Sequence, residues 1–241
     1  SFFIFAKVMM FGFKGEIVEG SAAFQQFASG WVPAIAIVAV LSMILGNLVA
    51  IVQSSVKRLL AYSAIAHAGY ILMAFVPYAN PEVASVSIAA GIFYLVAYAV
   101  SNFGTWAVVI VLEKQEGRGL EISDYAGLGR KYPALAAAMT IFMLSLIGFP
   151  PTLGLVGKFY LFRSVIAGGF IWLAIIGVVT SLISAYYYLR VVVNMFMREG
   201  EQNPQREFWL DLTWGAAAVL AAAISFVPQW LFVLASSAVL R

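Results

Sequence analysis

Cysteine is absent from this chain, and histidine occurs once, as His67. The first absence excludes disulfides and thiolate metal sites, and one imidazole cannot build a metal cluster alone. Charge is scarce too. Only 10% of the 241 residues are Asp, Glu, Lys or Arg, against about 25% in an average soluble domain. Between Pro133 and Gly157 there is no charge at all. No Gly-rich loop leads into Lys-Ser or Lys-Thr, and no dinucleotide fingerprint is present, so nucleotide chemistry is not expected. No polar segment is long enough to form a soluble domain that could hold a cofactor.

What is there is apolar. Hydrophobic residues make up 63% of the chain, in continuous runs without the alternation of barrel strands. This predicts an all-α polytopic membrane protein, a bundle of about six full transmembrane helices plus one partial, seated in a lipid bilayer. The net charge of +3 points to no nucleic-acid partner. The basic residues sit where loop topology would put them.

The expected spans follow in order. Ser1–Phe13 is apolar but covers only about 20 Å at helical rise, too little for a crossing. It lacks the shape of a signal peptide and reads as the tail of a helix whose start is missing. Lys14 to Gly30 is polar and lies on one side, X. Spans then run from Trp31 to about Val52, Leu59 to Val76, Val86 to Leu112, Pro133 to about Phe162, Phe170 to about Val193, and Trp209 to about Ala235. In the loop from Glu113 to Tyr132, Ser123 is a candidate cap for a short surface helix at Asp124-Tyr125. Side Y collects Lys57, Arg58, Lys114, Arg118, Arg130, Lys131, Arg190, Arg198 and Arg206. Side X collects Lys7, Lys14, Arg163 and Arg241. The bias puts Y in the cytoplasm or its organellar equivalent, and the C-terminus outside.

One span is broken. Pro150 and Pro151 remove two backbone donors, and Pro150 disfavours helix at Phe149. Gly148, Gly154 and Gly157 loosen the chain around them. Two half-helices with an unwound middle are expected. Irregular backbone at membrane depth is tolerated only when buried in protein or lining a wet cavity. Lys158 follows the break closely and reads as part of an ion path. A straight helix from Pro133 would instead carry it to the far surface, where lysine can snorkel.

Other polar groups line inward faces. Ser63, His67 and Tyr70 share one helical face. His67 lies about 15 Å deeper than Lys57, where an imidazole can relay protons or simply bond a neighbouring helix. Tyr94, Tyr98, Ser101, Asn102 and Thr105 form a second stripe. Thr180, Ser184 and Tyr187 form a third, with Ser181 and Tyr188 beside it. Each fits either ordered water or interhelical hydrogen bonding. Lys57 and Arg58 fit positive-inside anchoring, and Lys57 also fits a proton role near the intramembrane His67.

Two stretches carry a resemblance. Lys57-Arg-Leu-Leu-Ala-Tyr-Ser-Ala-Ile-Ala-His-Ala-Gly-Tyr70 and Gly148-Phe-Pro-Pro-Thr-Leu-Gly-Leu-Val-Gly-Lys158-Phe-Tyr160 resemble the antiporter-like membrane subunits of respiratory complex I. The latter stretch is similar to their broken twelfth helix, with lysine where the M type carries glutamate. Ile122-Ser-Asp-Tyr-Ala-Gly-Leu-Gly-Arg130 and Tyr186-Tyr-Tyr-Leu-Arg-Val191 resemble the N type of NADH–quinone oxidoreductase in particular. The resemblance implies a fourteen-helix fold, of which residues 1–241 would be the C-terminal part, about helices 8–14. It implies that Lys158 is the central-axis lysine of a proton half-channel, and that His67, Lys57, Tyr62 and Tyr187 belong to the same path. It implies no redox chemistry and no cofactor in this chain. NADH, FMN, iron–sulfur clusters and quinone would belong to partner subunits of the complex, in a bacterial plasma membrane or an organellar inner membrane. The family's lysine on helix eight, and its Glu–Lys pair on helices five and seven, would lie before Ser1.

The function so implied is proton translocation coupled to electron transfer elsewhere. A subunit of the related sodium/proton antiporters and a non-pumping structural membrane subunit are the alternatives.

Overall fold

The computed structural model describes residues 31–113, 120–200 and 207–239, together with Ile4. The expected truncated helix and the polar stretch after it lie outside the described residues, Ile4 excepted. Among the described residues the regular structure is helical, with one isolated bridge between Ser55 and Glu121. The helices are α1 (Val32–Ile51), α2 (Val56–Met73), α3 (Pro81–Leu112), the single turn α4 (Leu128–Lys131), α5 (Pro133–Ile147), α6 (Leu153–Ala167), α7 (Ile171–Met197), α8 (Phe208–Phe226) and α9 (Pro228–Val239).

Prolines open several of these helices. Pro81, Pro133 and Pro228 are the first residues of α3, α5 and α9, where the missing N–H is no loss and the fixed φ suits a helix. Asn80 caps α3 by accepting a hydrogen bond from the Glu82 backbone at 3.1 Å.

Five helices, α1, α2 with its extension to Tyr78, α3, α7 and α8, are long and apolar enough to cross a membrane, and α5 and α9 are shorter apolar helices. Large apolar side chains stand exposed along α1 (Ile37, Leu41, Leu45) and α7 (Ile175, Val179, Leu182). Water would tolerate such continuous faces poorly, whereas hydrocarbon accepts them. At 32 residues α3 is about 48 Å long, more than the roughly 30 Å hydrocarbon core, so it tilts or projects.

The loops assigned to side Y do meet at one end. The Val56 backbone donates to Leu120 at 2.8 Å and Ile122 to Ser54 at 2.9 Å. Arg190, near the end of α7, donates to the carbonyls of Ile51 and Gln53. Asn194 donates to Ile122, and Arg130 pairs with Glu199 at 2.9 Å. The opposite end gathers Trp31 and Tyr78, whose rings lie 5.8 Å apart, with Phe75, Val76 and Phe170 in one apolar cluster.

Two local expectations are corrected. The last span is not one helix. It is interrupted at Val227, where α8 ends and Pro228 opens α9, because proline cannot donate to the preceding turn. Ser123 does not cap the surface turn at Ile122–Tyr125. Glu121 does, in a reciprocal pair in which its own backbone N–H donates to Asp124 Oδ2 at 3.0 Å. The longer carboxylates reach both free donors.

Candidate functional site

The break between α5 and α6 organises the site. Gly148 ends α5 with φ 84°, a left-handed conformation that glycine adopts without a Cβ penalty. Its N–H reaches Ser145 O at 3.1 Å, and the Phe149 N–H reaches Leu144 O at 2.9 Å. That is the double closure of a Schellman turn. The residues up to Thr152 are non-helical, and α6 restarts at Leu153. A helix leaves its last four carbonyls without partners inside the helix. Here Leu144 and Ser145 are served by that turn, which leaves Leu146 and Ile147.

Lys158 serves both. Side chains on a helix tilt toward its N-terminus, so from the second turn of α6 the lysine reaches back to the break. Its Nζ donates to Leu146 O at 3.3 Å, Ile147 O at 2.8 Å and Ser181 Oγ at 2.7 Å. The residue is only 3% exposed. The negative end of the α5 dipole faces its ammonium, and the Tyr70 ring lies 4.8 Å away, a favourable cation–π distance. The snorkelling alternative does not describe this side chain.

The other half of the break is tied to α3. Ser101 and Ser145 hydroxyls lie 2.8 Å apart, and Ser145 Oγ accepts from the Gly154 N–H at 3.2 Å. Gly154 passes so near α5 that a Cβ on it would sit 1.7 Å from Ser145 O. Any side chain there would force the half-helices apart.

His67, 2% exposed, lies at the centre of a ring of phenols. Its Nδ1 is 2.7 Å from the Tyr94 hydroxyl and its Nε2 is 3.2 Å from the Tyr188 hydroxyl. Tyr98 stacks on the imidazole at 4.7 Å between centroids, and Tyr70 lies 5.9 Å away. In a neutral ring one nitrogen donates and the other accepts. One tyrosine therefore donates a hydrogen bond to the ring while the other accepts one from it. Exchange of tautomers reverses that direction, which is what a relay requires. Tyr70 stands between His67 and Lys158, and its hydroxyl is 3.0 Å from Thr180 Oγ1.

The structure places the remaining candidates less centrally. Tyr187 is buried and donates to Asn47 Oδ1 at 2.9 Å, and its ring meets Tyr188 at 4.5 Å. It is thus one ring removed from His67. Lys57 pairs with Glu113 at 2.6 Å at the Y end, both side chains about a third exposed (32% and 34%). Tyr62 is half-buried in the apolar cluster that includes Leu59, Leu60 and Tyr187, and is not among the rings around His67. Gly148, Pro150 and Pro151 lie in the break, with the Pro150–Pro151 peptide cis, and Gly154 is the second residue of α6. Tyr94, Tyr188, Tyr70, Thr180 and Ser181 carry contacts that their stripes alone did not assign to a site. Asn47 was missed. The available signal was its position as the sole amide in α1, where Ser42 is the other polar side chain. Among the described residues no three of His, Cys, Asp and Glu are grouped so as to hold a metal ion.

Residues 16–184 match the model of a family described as NADH:quinone oxidoreductase/Mrp antiporter, transmembrane. The chain belongs to this family. Among its relatives, the NADH-quinone oxidoreductase subunit N 2 of Chloroherpeton thalassium is 44% identical over 206 residues, 85% of this chain and 39% of that protein. The NADH-quinone oxidoreductase subunit N of Trichlorobacter lovleyi is 44% identical over 209 residues, 86% of this chain and 41% of that protein. This member of the family spans about two fifths of the length of the curated relatives it matches. Among solved structures, respiratory complex I from Thermus thermophilus with bound aureothin contains a chain that matches with a TM-score of 0.72 at 34% identity. The match covers 83% of this chain and 44% of that one. The Mrp complex from Dietzia sp. DQ12-45-1b gives a TM-score of 0.78 at 20% identity, over 87% of this chain and 47% of that one, a likeness of fold.

Proposed function

We propose that this chain is the C-terminal part, about helices 8–14, of a proton-translocating antiporter-like subunit of an NADH–quinone oxidoreductase, and that Lys158 carries the proton. The observation that carries this reading is a buried lysine whose ammonium is held at the open end of a broken helix, with His67 and its tyrosines next to it. A positive charge brought near such a group favours proton release, and its withdrawal favours uptake. Electron transfer in partner subunits would supply that alternation. Tyr70, His67, Tyr94 and Tyr188, with water between them, would pass the proton onward, and Lys57 beside Glu113 would meet it at the Y surface. Tyr187 and Asn47 hold the adjoining wall, and Tyr62 borders the approach.

On this reading the partners are the other membrane subunits of the complex. NADH, FMN, iron–sulfur clusters and quinone are held there and not in this chain. The membrane is a bacterial plasma membrane, with the Y loops on the cytoplasmic side and the C-terminus outside.

The family description also covers Mrp antiporters, so ion exchange without redox coupling is the second reading. The identity to subunits named NADH-quinone oxidoreductase favours the first. In a purely structural subunit Lys158 would serve only to cap α5. The test is proton pumping by vesicles containing the whole complex, with Lys158→Met against wild type and NADH–quinone turnover measured alongside. Loss of pumping and coupled turnover in an assembled complex is expected. Unchanged protons per electron would overturn the proposal, and co-purification without redox subunits would turn it toward the antiporters.

A further inference from the structure

The Lys158 ammonium has three N–H bonds, and three acceptors face it: Leu146 O, Ile147 O and Ser181 Oγ. Two are backbone carbonyls, which can only accept. The third differs. Ser181 Oγ accepts from Lys158 while its own hydroxyl donates to Ile147 O at 3.1 Å. A hydroxyl has one donor that rotates and two acceptor lone pairs. When the lysine is charged, Ser181 accepts from it and gives its hydrogen to the carbonyl. When the lysine is a neutral amine, it has two N–H bonds and a lone pair. The carbonyls use the two N–H bonds, and rotation about the Cβ–Oγ bond lets Ser181 donate to the nitrogen. No atom besides the hydroxyl hydrogen has to move, and every N–H and O–H at the site keeps an acceptor in both states.

From this geometry we infer that Ser181 is a positioning residue for proton exchange at Lys158: its hydroxyl holds Nζ at the end of α5 in both protonation states. Leu146 and Ile147 cannot do this, because a carbonyl facing an amine lone pair is repelled. Thr180 does not replace it. Its Oγ1 is committed to Tyr70 and to the carbonyls of Ile176 and Gly177. Ser181 comes from α7, a different helix from the break, so the same contact fastens α7 to the end of α5. The inference rests on Lys158 being the proton carrier proposed above.

The experiment uses vesicles containing the whole complex, with Ser181→Ala, Ser181→Thr, Ser181→Cys and Lys158→Met compared for proton flux, turnover and assembly. Ser181→Ala is expected to lower coupled proton flux about tenfold, the scale of one hydrogen bond to a charged group. Ser181→Thr keeps a hydroxyl and is expected to restore flux to within about twofold. Ser181→Cys has similar shape but a weak S–H donor and should fall with alanine, which keeps the test alive if the alanine variant fails to assemble. Normal flux in Ser181→Ala or Ser181→Cys, with flux lost in Lys158→Met, overturns the inference and leaves the function standing. Threonine as impaired as alanine in an assembled complex also overturns it, since packing and not the hydroxyl would then matter. Unchanged flux in Lys158→Met removes the proposed function and this inference together.

Discussion

The Lys158 side chain caps the helix that ends at Ile147: its Nζ lies 2.8 Å from the Ile147 carbonyl. A cation at a helix C-terminus is favoured by the dipole and by the unpaired carbonyls. The break and the charge are therefore one feature. The prolines and Gly148 open the helix, the opening exposes carbonyls, and the carbonyls hold the lysine in the interior. A change in the charge of Lys158 must act on the end of α5, and a movement of α5 must act on the lysine.

Gly154 tests whether this close approach is obligatory. A Cβ there would stand 1.7 Å from Ser145 O, and the obstacle is backbone, which cannot swing aside. Gly154→Ala is expected to destabilise the subunit by about 1–3 kcal/mol, the usual scale of overpacking, and to lower coupled pumping by displacing Lys158. Thermal denaturation of the purified complex together with proton flux measures both. Wild-type values for both would mean that the half-helices separate freely.

Gly148 makes a milder case. Its φ of 84° costs an L-residue roughly 1–2 kcal/mol, and its Cβ would meet the Lys158 side chain at 3.0 Å. Gly148→Ala should reduce stability by about that amount, and Gly148→Asn by less, because asparagine tolerates the left-handed region. The order of the two melting temperatures is the check.

The break was legible in the sequence because two adjacent prolines and a preceding glycine agree on one outcome. The break at Pro228 was not, since a lone proline in an apolar run is compatible with a kink as well as a stop. Burial of Lys158 depended on where α6 restarts and on the angle at which it leaves α5, neither of which residue spacing specifies. His67 could be placed at depth by counting from Lys57. Which of the many tyrosines would meet it could not, because partners on α3 and α7 are chosen by helix rotation and register. Hence Tyr94 and Tyr188 hold the ring, while Tyr62, close in sequence, points into the Y-end cluster.

Arg190, half-buried at the Y end, should matter to stability. It donates to the carbonyls of both Ile51 and Gln53, closing the end of α1. A guanidinium presents a planar fork that lysine lacks. Arg190→Lys is expected to recover little of the loss in Arg190→Met, about 1–3 kcal/mol. Proteolysis near Gln53 in the folded complex should rise in both variants. Full protection in the lysine variant would mean that charge alone suffices.

Tyr125 makes the opposite prediction. Its hydroxyl is buried and has no hydrogen-bond partner, and burial, then the Asp124 and Glu113 carboxylates, raise its pKa above the ordinary value of 10.0. Removing an unpaired buried hydroxyl is nearly neutral or stabilising, so Tyr125→Phe should leave the melting temperature unchanged or higher at pH 7. The unfolded chain loses this proton at about pH 10 while the folded chain keeps it, so folding stability falls as pH rises beyond that point. The phenylalanine variant lacks this contribution and should lose stability less steeply above pH 10. A matching slope would mean that water already serves the hydroxyl.

His67 supplies the sharpest test of the relay. Tyr94 is the nearer partner, at 2.7 Å against 3.2 Å for Tyr188. Tyr94→Phe leaves Nδ1 without a partner inside an apolar wall, a penalty of about 1–3 kcal/mol for one tautomer over the other. The ring then settles with its proton on one side, and the exchange of tautomers that reverses the chain becomes unfavourable. Proton flux should therefore fall more in Tyr94→Phe than in Tyr188→Phe. The double variant should lose less than the sum of the two, since both act on the same hydrogen-bonded chain through His67. Additive losses would assign the two tyrosines to separate paths, and equal small losses would leave His67 a structural hydrogen bond between α2, α3 and α7.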